Sequence, residues 1–521
     1  MTAILRPPVH PSKWLTMLAV CLGLGMLMID TFVVNVAFPA IGRDLDASLG
    51  KAEWTVSGYV LMLGVFPLAM GRLGDILGRR LVYLCGLAVF VAASAGCGMA
   101  QDINQLVALR LVQGLGAAVM MPGTLSIVTT AFPAHQRGLA IGVWGGVSGI
   151  GLVAGPILGG LLVSGDSWRW IFLVNVPVGV AALIMGLRFV AESRDPNAPR
   201  SVDWVGAVLL AAGLGAPLVG LTEANTRGWT DSWILASFAA GAGLLVLFVV
   251  VELRRRFPLV DLRLFKNGTF MMACISAFLF SGAVFGSQPF ASLFMQNTLG
   301  FSPLEGGFGF LPATALVALL MPFSGIIGQK LGDRLRLLII AGSLLVAASF
   351  VYLVLFLDME SRYLDGLLAP FILRGLGIGL FMSASSLAVM SSLPVARAGL
   401  ASGTLTMFRQ VGTAVGVAVF GAVFLHHIHT DLPDRLVGMP AAQSARTTTA
   451  AEHFAIASPG VDGGATRLSI VDGYVLIAVF GLAASGVAAA SAVFIRSRAL
   501  PVSAPAPEPA PRPAAAGATG S

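Results

Sequence analysis

The amino-acid sequence predicts an all-α integral membrane protein that crosses the lipid bilayer many times. Of its 521 residues, 56% are hydrophobic and only 11% are charged, whereas a soluble domain carries about 25% charged residues. The mean hydropathy is correspondingly high, at +0.87. The apolar segments are long and continuous rather than alternating, a pattern typical of membrane helices and not of membrane β-barrels.

Fourteen apolar runs are long enough to cross the hydrocarbon core, which takes roughly 20 helical residues. They span 14–38, 53–72, 81–100, 105–129, 138–163, 170–190, 204–222, 232–252, 269–293, 305–328, 336–357, 366–391, 397–425 and 470–495. The first run is too long for the apolar region of a cleavable signal peptide, so it predicts a transmembrane helix.

Basic residues predict the orientation, because lysine and arginine are enriched in cytoplasmic loops. Most of the 32 basic residues fall in segments that are cytoplasmic when the N-terminus lies inside the cell. With an even number of helices, both termini are then cytoplasmic. This topology also explains the net charge of +7, so no nucleic-acid partner is expected.

Cysteine and histidine residues give no sign of a metal site. The four cysteines lie in apolar runs and form no Cys-x-x-Cys pair, as expected of small apolar core residues. His426, His427 and His429 lie in the longest predicted outer loop, 426–468, where neither a cysteine nor clustered carboxylates accompany them. We therefore expect a solvated loop and no bound metal.

The segment between the second and third predicted helices combines glycines with charged residues. Its characteristic residues are Gly71, Arg72, Gly74, Asp75, Gly78, Arg79 and Arg80. The glycines allow a tight turn and a close approach of two helix ends. Asp75 is expected to cap the following helix or to pair with a nearby arginine. A loop that only obeyed the charge rule would not require glycines at this spacing.

This segment resembles the signature loop of the major facilitator superfamily. The other segments that resemble motifs of this family are 28–37, 109–116, 151–160 and 168–177, together with Trp54 and Tyr59. The resemblance covers roughly residues 14–495 and extends to the fourteen-helix drug:proton antiporter class of the family.

The resemblance implies a major facilitator fold, in which two six-helix bundles face each other and two extra helices lie between them. The corresponding segments are a cytoplasmic tail (1–13), a first bundle (14–190), a linker with two helices (191–254), a second bundle (255–496) and a disordered cytoplasmic tail (497–521). A weaker copy of the signature loop at 325–334 supports two related halves.

Asp30 is the one acidic residue deep within a predicted span. Arg110 lies in the fourth span at a depth that differs by about 3 residues, or ~4.5 Å along the helix. Because each charge costs about 2.5–3.5 kcal/mol in lipid on insertion scales, we predict a direct or water-mediated pair. Asp30 is expected to bind the coupling proton, with Arg110 opposing protonation and burial favouring it. A static pair that only orients two helices is the alternative.

Glycine recurs every fourth residue in the fifth predicted helix. Gly151, Gly155 and Gly159 form one bare stripe that allows close packing. Pro156 removes a backbone donor and can bend the helix. With Gly160, this motif predicts a tight contact between the two bundles that restricts leakage. Plain helix packing is the alternative, because glycine is common in membrane helices.

Four further residues are candidates for the lining of a central cavity. Arg374 and Arg409 lie within predicted helices, where they either face the cavity or bind backbone carbonyls at helix contacts. Trp54 and Tyr59 either stack on flat aromatic substrates or face lipid and neighbouring helices.

Together these features predict proton-coupled efflux of drugs, antibiotics or other small lipophilic compounds by alternating access. The sequence contains no Gly-x-x-x-x-Gly-Lys-Ser/Thr nucleotide-binding motif. The expected energy source is therefore the proton gradient, with no cofactor. No catalytic set of residues lies within the predicted spans, so we expect no enzyme activity.

Two alternatives of the same fold are open: a facilitator or importer, and an exporter or flippase of one specific metabolite or lipid. The glycine motif and the number of helices favour export. A deep carboxylate favours lipophilic cations as substrates. The expected partners are a small-molecule substrate, protons and the lipid bilayer of the cytoplasmic membrane. The sequence leaves open whether an accessory periplasmic protein takes part.

Overall fold

The structure is a computed structural model that describes residues 12–133, 136–164, 167–194, 201–393, 398–437, 439–440, 443–444, 446–448 and 463–495. Within these ranges the chain forms helices and connecting segments, and no strand. The predicted tails, 1–13 and 497–521, lie outside the described residues except for Ser12 and Lys13.

The first part of the chain forms ten helices. They are α1 (Lys13–Asp44), α2 (Leu49–Val65), α3 (Pro67–Leu77), α4 (Arg79–Met99), α5 (Ile103–Ala131), α6 (Arg137–Val163), α7 (Trp170–Leu173), α8 (Asn175–Phe189), α9 (Trp204–Arg227) and α10 (Ser232–Arg254).

The second part begins with a 3₁₀ turn at Leu262–Lys266. The helices that follow are α11 (Gly268–Gly286), α12 (Gln288–Asn297), α13 (Pro303–Gly309), α14 (Leu311–Leu331), α15 (Arg336–Phe356), α16 (Leu368–Ser391), α17 (Ala398–Arg435) and α18 (Gly463–Val493).

Among the described residues, 12 helices or helix pairs are long and apolar enough to cross a membrane, or 13 if α2 and α3 count as one bent span. Each of the fourteen predicted runs falls on a helix or on consecutive helices. The run 138–163 falls on α6. This helix is not among the 12, because the part of it that meets the criterion for an apolar helix, Val153–Val163, is too short to cross a membrane. The all-helical membrane fold is therefore confirmed, while the number fourteen stays a prediction.

The second predicted span is bent rather than straight. Helices α2 and α3 meet at 47°, and Pro67 is the first residue of α3. Proline has no N–H to continue the hydrogen-bond ladder, but it fits the first turn of a new helix. A sequence criterion based on hydropathy does not detect such a break.

The predicted outer loop 426–468 differs from the structure at both ends. Helix α17 continues to Arg435, and α18 begins at Gly463. His426, His427 and His429 therefore lie on a helix and not in a solvated loop, which corrects the prediction. The reason is that a helix can continue with polar residues, because its backbone hydrogen bonds are internal.

We call α1–α8 the first bundle and α11–α18 the second bundle. In the first bundle α1 packs on α6 and α8, and α4 packs on α5. In the second, α11 packs on α17 and α18, and α16 packs on α14 and α15. The bundles meet along α2 and α17 and along α6 and α13. Helices α9 and α10 pair with each other, and α9 also contacts α2 and α17.

Candidate functional site

Asp30 lies within α1, and its side chain is fully buried. Its Oδ2 accepts a hydrogen bond from Arg110 Nη1 at 2.7 Å. Its Oδ1 accepts from Gln113 Nε2 at 2.9 Å and from Asn175 Nδ2 at 2.8 Å. We call Asp30, Arg110, Gln113 and Asn175 the Asp30 cluster.

The cluster lies on three helices of the first bundle, α1, α5 and α8, and is hydrogen-bonded to a fourth, α4. Arg110 and Gln113 are three residues apart on α5, so they share one face of the helix, and Arg110 Nη1 also donates to Gln113 Oε1 at 2.8 Å. Asn175 is the first residue of α8, and its Nδ2 also donates to Ser94 Oγ of α4 at 3.1 Å. The cluster therefore holds Asp30 in one position relative to α4, α5 and α8.

Arg110 is 1% exposed and has partners on several sides. Its Nε donates to the carbonyl oxygen of Thr55 at 2.8 Å. The rings of Tyr59 and Phe172 lie 3.9 and 5.5 Å from its Cζ, measured to the ring centroids. A buried ion pair is tolerated when direct contact and further hydrogen bonds replace the lost water. The Asp30–Arg110 pair has this arrangement.

Gln113 and Asn175 were missed by the sequence analysis as site residues. Both lie inside segments that carry the family resemblance, 109–116 and 168–177. The available signal was an amide side chain within an apolar run, because such a group is costly in lipid unless it binds a partner. Which partner it binds is not readable from the sequence.

A cavity of about 640 Å³ lies between the two bundles, within the range typical of small-molecule sites. Helices α3, α5 and α6 line it from the first bundle, and α17 lines it from the second. Residues that represent these walls are Leu68, Met121, Trp144 and Thr406, with Asp75 and Arg79 of the signature loop. The Asp30 cluster does not line this cavity.

Most of the predicted signature loop is helical, which corrects the prediction: 71–77 belong to α3, Arg79 and Arg80 begin α4, and only Gly78 lies between the helices. This segment contains an internal ion pair. Arg79 Nη2 lies 2.8 Å from Asp75 Oδ1, and Arg79 Nε donates to the same oxygen at 2.9 Å. Gly71 lies close to α5, because an added Cβ would lie 3.3 Å from the Cβ of Pro122. Of the two roles expected for Asp75, the structure places it in the arginine pair.

The N-terminus of α4 is capped by Glu192, a residue that the sequence analysis did not name. The Glu192 carboxylate accepts from Arg80 N at 3.0 Å and from Leu81 N at 3.2 Å. Gly78, which precedes α4, has φ +122°, and a Cβ there would lie 2.5 Å from Glu192 Cδ. Glycine is therefore required at this position, both for its backbone conformation and for space. Arg80 Nη2 donates to the Leu187 carbonyl at 2.5 Å.

The glycine stripe of α6 faces α1 of the same bundle. A Cβ added at Gly155 would lie 2.8 Å from the Cβ of Phe32, and one at Gly159 would lie 2.9 Å from the Val33 carbonyl oxygen. Gly151 likewise lies against α1. The stripe therefore sets the close approach of α1 and α6, and is not itself the contact between the bundles.

Pro156 and Gly160 of the same motif do contact the second bundle. A Cβ at Gly160 would lie 2.6 Å from the Pro303 carbonyl oxygen and 2.7 Å from the Cα of Leu304. Gly307 of α13 lies directly against the backbone of Pro156. The two bundles thus touch backbone to backbone at this end of α6.

The cavity and this contact lie at opposite ends of α6. Trp144 lines the cavity, and Gly160 makes the contact between the bundles. Both residues belong to one helix and lie about 24 Å apart at 1.5 Å per residue. The interface between the bundles therefore contains the cavity near the signature loop and is in backbone contact at the other end.

Arg374 and Arg409 are both bound to neighbouring helices of the second bundle. Arg374 Nε donates to Ser349 Oγ at 3.2 Å, and its Cζ lies 4.4 Å from the centroid of the Phe350 ring. Arg374 also lines a small cavity of about 40 Å³. Arg409 Nη2 donates to the Met382 carbonyl at 2.9 Å and to Ser385 Oγ at 2.7 Å.

Trp54 and Tyr59 lie on α2 but outside the lining of the large cavity. Trp54 Nε1 donates to Thr222 Oγ1 of α9 at 3.1 Å. The Tyr59 ring is fully buried against Arg110, and its hydroxyl lies 3.4 Å from Thr31 Oγ1. In this structure, therefore, both aromatic residues contact protein side chains.

His427 has two carboxylates near it, contrary to the sequence expectation. His427, Asp431 and Asp472 could each offer one ligand atom, and these atoms lie within 4.8 Å of one another. The Arg435 guanidinium, however, donates to both carboxylates, at 2.5 Å to Asp472. An arginine that already neutralises both acids opposes the binding of a cation there.

Comparison with known proteins identifies the family. The chain matches the model of the Major Facilitator Superfamily over residues 20–417. It is 36% identical over 428 residues to the tetracenomycin C resistance and export protein of Streptomyces glaucescens, covering 81% of this chain and 78% of that protein. It is 34% identical to the multidrug resistance protein Stp of Mycobacterium tuberculosis, with 82% and 78% covered.

A solved structure has the same fold. It is a bacterial homologue of the human lysosomal transporter Spinster in an inward-facing, unoccupied conformation. The TM-score is 0.64 at 15% identity, over 93% of this chain and 97% of the other. The family match, the relatives and the many membrane-spanning helices agree. This chain is a multi-pass membrane transporter that belongs to the major facilitator superfamily, and not an enzyme.

Proposed function

We propose that the protein exports small lipophilic compounds, antibiotics among them, in exchange for protons. The observation that carries this proposal is a cavity that the described residues form on one side only of the bundle interface, near the signature loop, with a backbone contact at Pro156 and Gly160 on the other side. A transporter with a single cavity at a bundle interface works by exposing it to one side at a time. The Asp30 cluster supplies a protonatable group within the first bundle.

Proton coupling is supported by the position of Asp30. It is fully buried and held by Arg110, Gln113 and Asn175. Protonation of Asp30 removes the charge that holds Arg110, so the cluster must rearrange when a proton binds. A proton that moves down the membrane potential supplies about 2.3 kcal/mol per 100 mV. No cofactor is required by this mechanism.

Export is favoured by the relatives and by the α6 motif. One relative is named for tetracenomycin C resistance and export, and another for multidrug resistance. The contact of Gly160 with Pro303 and Leu304 provides a seal between the bundles at the end away from the cavity. Such a seal prevents substrate and proton leakage while the cavity is open to the cytoplasm.

The finer assignments of class and topology are part of the proposal. We place the chain in the fourteen-helix drug:proton antiporter class, with both termini cytoplasmic in the cytoplasmic membrane. The inserted pair α9–α10 and the basic residues near the signature loop support this topology. Alternating access does not require an accessory periplasmic protein, and such a protein would be a separate chain.

The substrate class is a lipophilic molecule that is neutral or weakly charged. The cavity walls are mainly apolar, with Trp144 as an aromatic surface. The negative charge of Asp30 is balanced by Arg110, so it offers little net attraction to a cation in this state. A purely cationic preference, expected from the lone carboxylate, is therefore disfavoured.

The test is substrate-dependent proton release from inverted membrane vesicles, followed with a pH-sensitive dye. In a panel of neutral, anionic and cationic drugs, at least the neutral lipophilic members should dissipate the gradient in wild-type vesicles and not in Asp30→Asn vesicles. The absence of a response to every drug, with tight vesicles and inserted protein, would overturn drug export. The alternative, a dedicated exporter or flippase of one metabolite or lipid, would then be tested with lipid and metabolite substrates.

A further inference from the structure

Glu53 is a buried carboxyl group that the proposed mechanism does not use. It lies near the start of α2 and is fully buried, and neither of its carboxylate oxygens has a hydrogen-bond partner. The other buried acids of the described chain each accept at least one hydrogen bond. Those acids are Asp30, Asp203 and Glu252. An ionised carboxylate without any partner is strongly disfavoured in such a site.

The carboxyl group of Glu53 lies between the two bundles. It rests against Gly421 of α17, where any side chain would collide with the carboxylate oxygens. Buried apolar residues close in sequence to Glu53 and Gly421 belong to one hydrophobic core. They are Leu49, Ala52, Phe420, Phe424 and Leu425. The closed contact between α2 and α17 is therefore what separates Glu53 from water.

Most charged groups on the helices that pack against α2 have other partners, whereas Arg43 at the end of α1 and Lys51 on α2 itself have exposed side chains. Arg110 of α5 is bound to Asp30, and Glu223 and Arg227 of α9 pair with each other at 3.4 Å. The others are Asp44 of α1 with Arg169, Asp431 of α17 with Arg435 and His427, and Arg409 of α17 with Ser385. Among the described residues no ion pair or hydrogen bond joins the Glu53 carboxylate to a cation, so a negative charge there would have no direct counter-ion.

Gly421 and Glu53 lie at the closed end of the molecule. Glu53 is in the second turn of α2, which begins just after the loop that follows α1. The cavity instead involves α3 and the start of α17, at Ser402 and Gly403. Glu53 thus belongs to the seal between α2 and α17 and not to the cavity.

We propose that Glu53 is a proton-operated latch: α2 and α17 close around it only when its carboxyl group is protonated. When the contact opens, water reaches the carboxyl group, which releases its proton to that water and becomes ionised. Closing again requires a proton from the same side. Protonation outside would thereby promote the return of the empty transporter to the inward-open state. This inference rests on the proposed function for its direction in the transport cycle.

The size of the effect follows from the burial of a charge. Insertion scales for a carboxylate at mid-membrane correspond to roughly a 100-fold shift in an equilibrium, which is an upper limit for Glu53 because it lies near the end of α2. We therefore expect ionisation of Glu53 to favour the open contact by ~10- to 100-fold. Glu53→Gln, which keeps the size and removes the charge, should hold the contact closed at every pH.

The experiment measures the distance between the ends of α2 and α17 by pulsed electron paramagnetic resonance. Spin labels are placed at Lys51 and Val437, both exposed, in the full chain with its four cysteines replaced by serine. In nanodiscs without substrate or gradient, the wild-type background should show a larger long-distance population at about pH 9 than at about pH 5. Glu53→Gln should show the short distance at both pH values.

Controls distinguish this latch from the proton site at Asp30. Glu223→Gln, the same change on the neighbouring helix α9, and Asp30→Asn should both keep the pH-dependent distance. Equal distances at both pH values in the wild-type background, or an unchanged pH response in Glu53→Gln, would overturn the latch. If Glu53→Gln does not fold, Glu53→Leu provides the same test. Because no substrate or gradient is present, failure of proton-coupled export would leave this result unaffected.

Discussion

Asp30 Oδ2 and Arg110 Nη1 lie 2.7 Å apart, although 80 residues separate them in the sequence. Their side chains are 0% and 1% exposed. The pair is the only ion pair among the described residues in which both partners are this buried. Because the two groups are in direct contact and excluded from water, a change of charge on Asp30 changes the electrostatic energy of Arg110 and the packing of the helices that carry them.

Asp30→Asn should abolish uphill transport. The asparagine cannot exchange a proton, and it leaves the Arg110 guanidinium without a counter-charge, a loss of about 3–5 kcal/mol for a broken buried pair. We expect substrate-dependent proton release to fall by at least ~100-fold. The measurement is dye-monitored proton release in inverted vesicles.

Asp44→Asn is the matched control for this change. Asp44 lies at the end of the same helix, and its partner Arg169 and the carboxylate itself are both partly exposed, at 31% and 47%. Exposed pairs contribute about 0–1 kcal/mol. Transport by Asp44→Asn should therefore remain within about 3-fold of wild type. Full uphill transport by Asp30→Asn would contradict the assigned role.

Asn175→Leu should weaken transport without removing the ion pair. The substitution keeps the branched shape and the number of side-chain heavy atoms but removes the donor 2.8 Å from Asp30 Oδ1. A hydrogen bond to a charged group contributes about 1.5–3 kcal/mol, so we expect ~10-fold slower transport and a lower thermal unfolding temperature in detergent. Asn104→Leu, at an exposed position of α5, should change neither quantity. Wild-type transport by Asn175→Leu would show that this donor does not support Asp30.

Gly160→Ala should impair the closed contact between the bundles. The added methyl group would lie 2.6 Å from the Pro303 carbonyl oxygen, too close for a real contact, so the bundles must separate at this end. We expect transport to fall by ~10-fold and proton leakage in the absence of substrate to rise. Both are measured in the same vesicles, as the initial rate and as passive decay of the gradient.

The control for this prediction is Gly145→Ala on the same helix. An added Cβ at Gly145 meets nothing within 4 Å, and alanine favours a helix by about 1 kcal/mol over glycine. Gly145→Ala should therefore transport normally, with equal or higher thermal stability. Equal behaviour of the two variants would mean that the contact at Gly160 has no role in sealing.

Glu192→Ala should destabilise the start of α4. The carboxylate binds two backbone N–H groups there, at 3.0 and 3.2 Å, and loss of such a cap costs about 1 kcal/mol. We expect a lower thermal unfolding temperature. Glu360→Ala, at an exposed position, is the control and should leave the unfolding temperature unchanged. An unchanged temperature in Glu192→Ala would argue against the cap.

Much of the fold was predictable because membrane insertion is decided locally. A run of apolar residues long enough for the hydrocarbon core is visible in the sequence whatever it packs against. All fourteen runs therefore fall on helices. The bend at Pro67 and the helical extension of α17 to Arg435 were not predicted. Hydropathy reports neither the backbone hydrogen bonds that continue a helix nor the direction of the helix axis.

The candidate site was predicted only in part. Asp30 and Arg110 were recognisable because a charge within an apolar run is rare and costly. Gln113 and Asn175 were overlooked, and Glu53 lay at the edge of a predicted run and not within it. The sequence identified the glycines of α6 but not the helix that each glycine contacts. Those contacts depend on how α6 is rotated about its axis relative to α1 and α13.

The sequence by itself determined that this chain is a many-helix membrane protein, where its helices lie and which motifs it shares with transporters. These properties depend on residues that are near one another along the chain. The tertiary structure decided that Asp30 has three donors while Glu53 has none, and that Glu192 rather than Asp75 caps α4. Those outcomes depend on contacts between helices that are distant in sequence, and the rotation and depth of each helix set them.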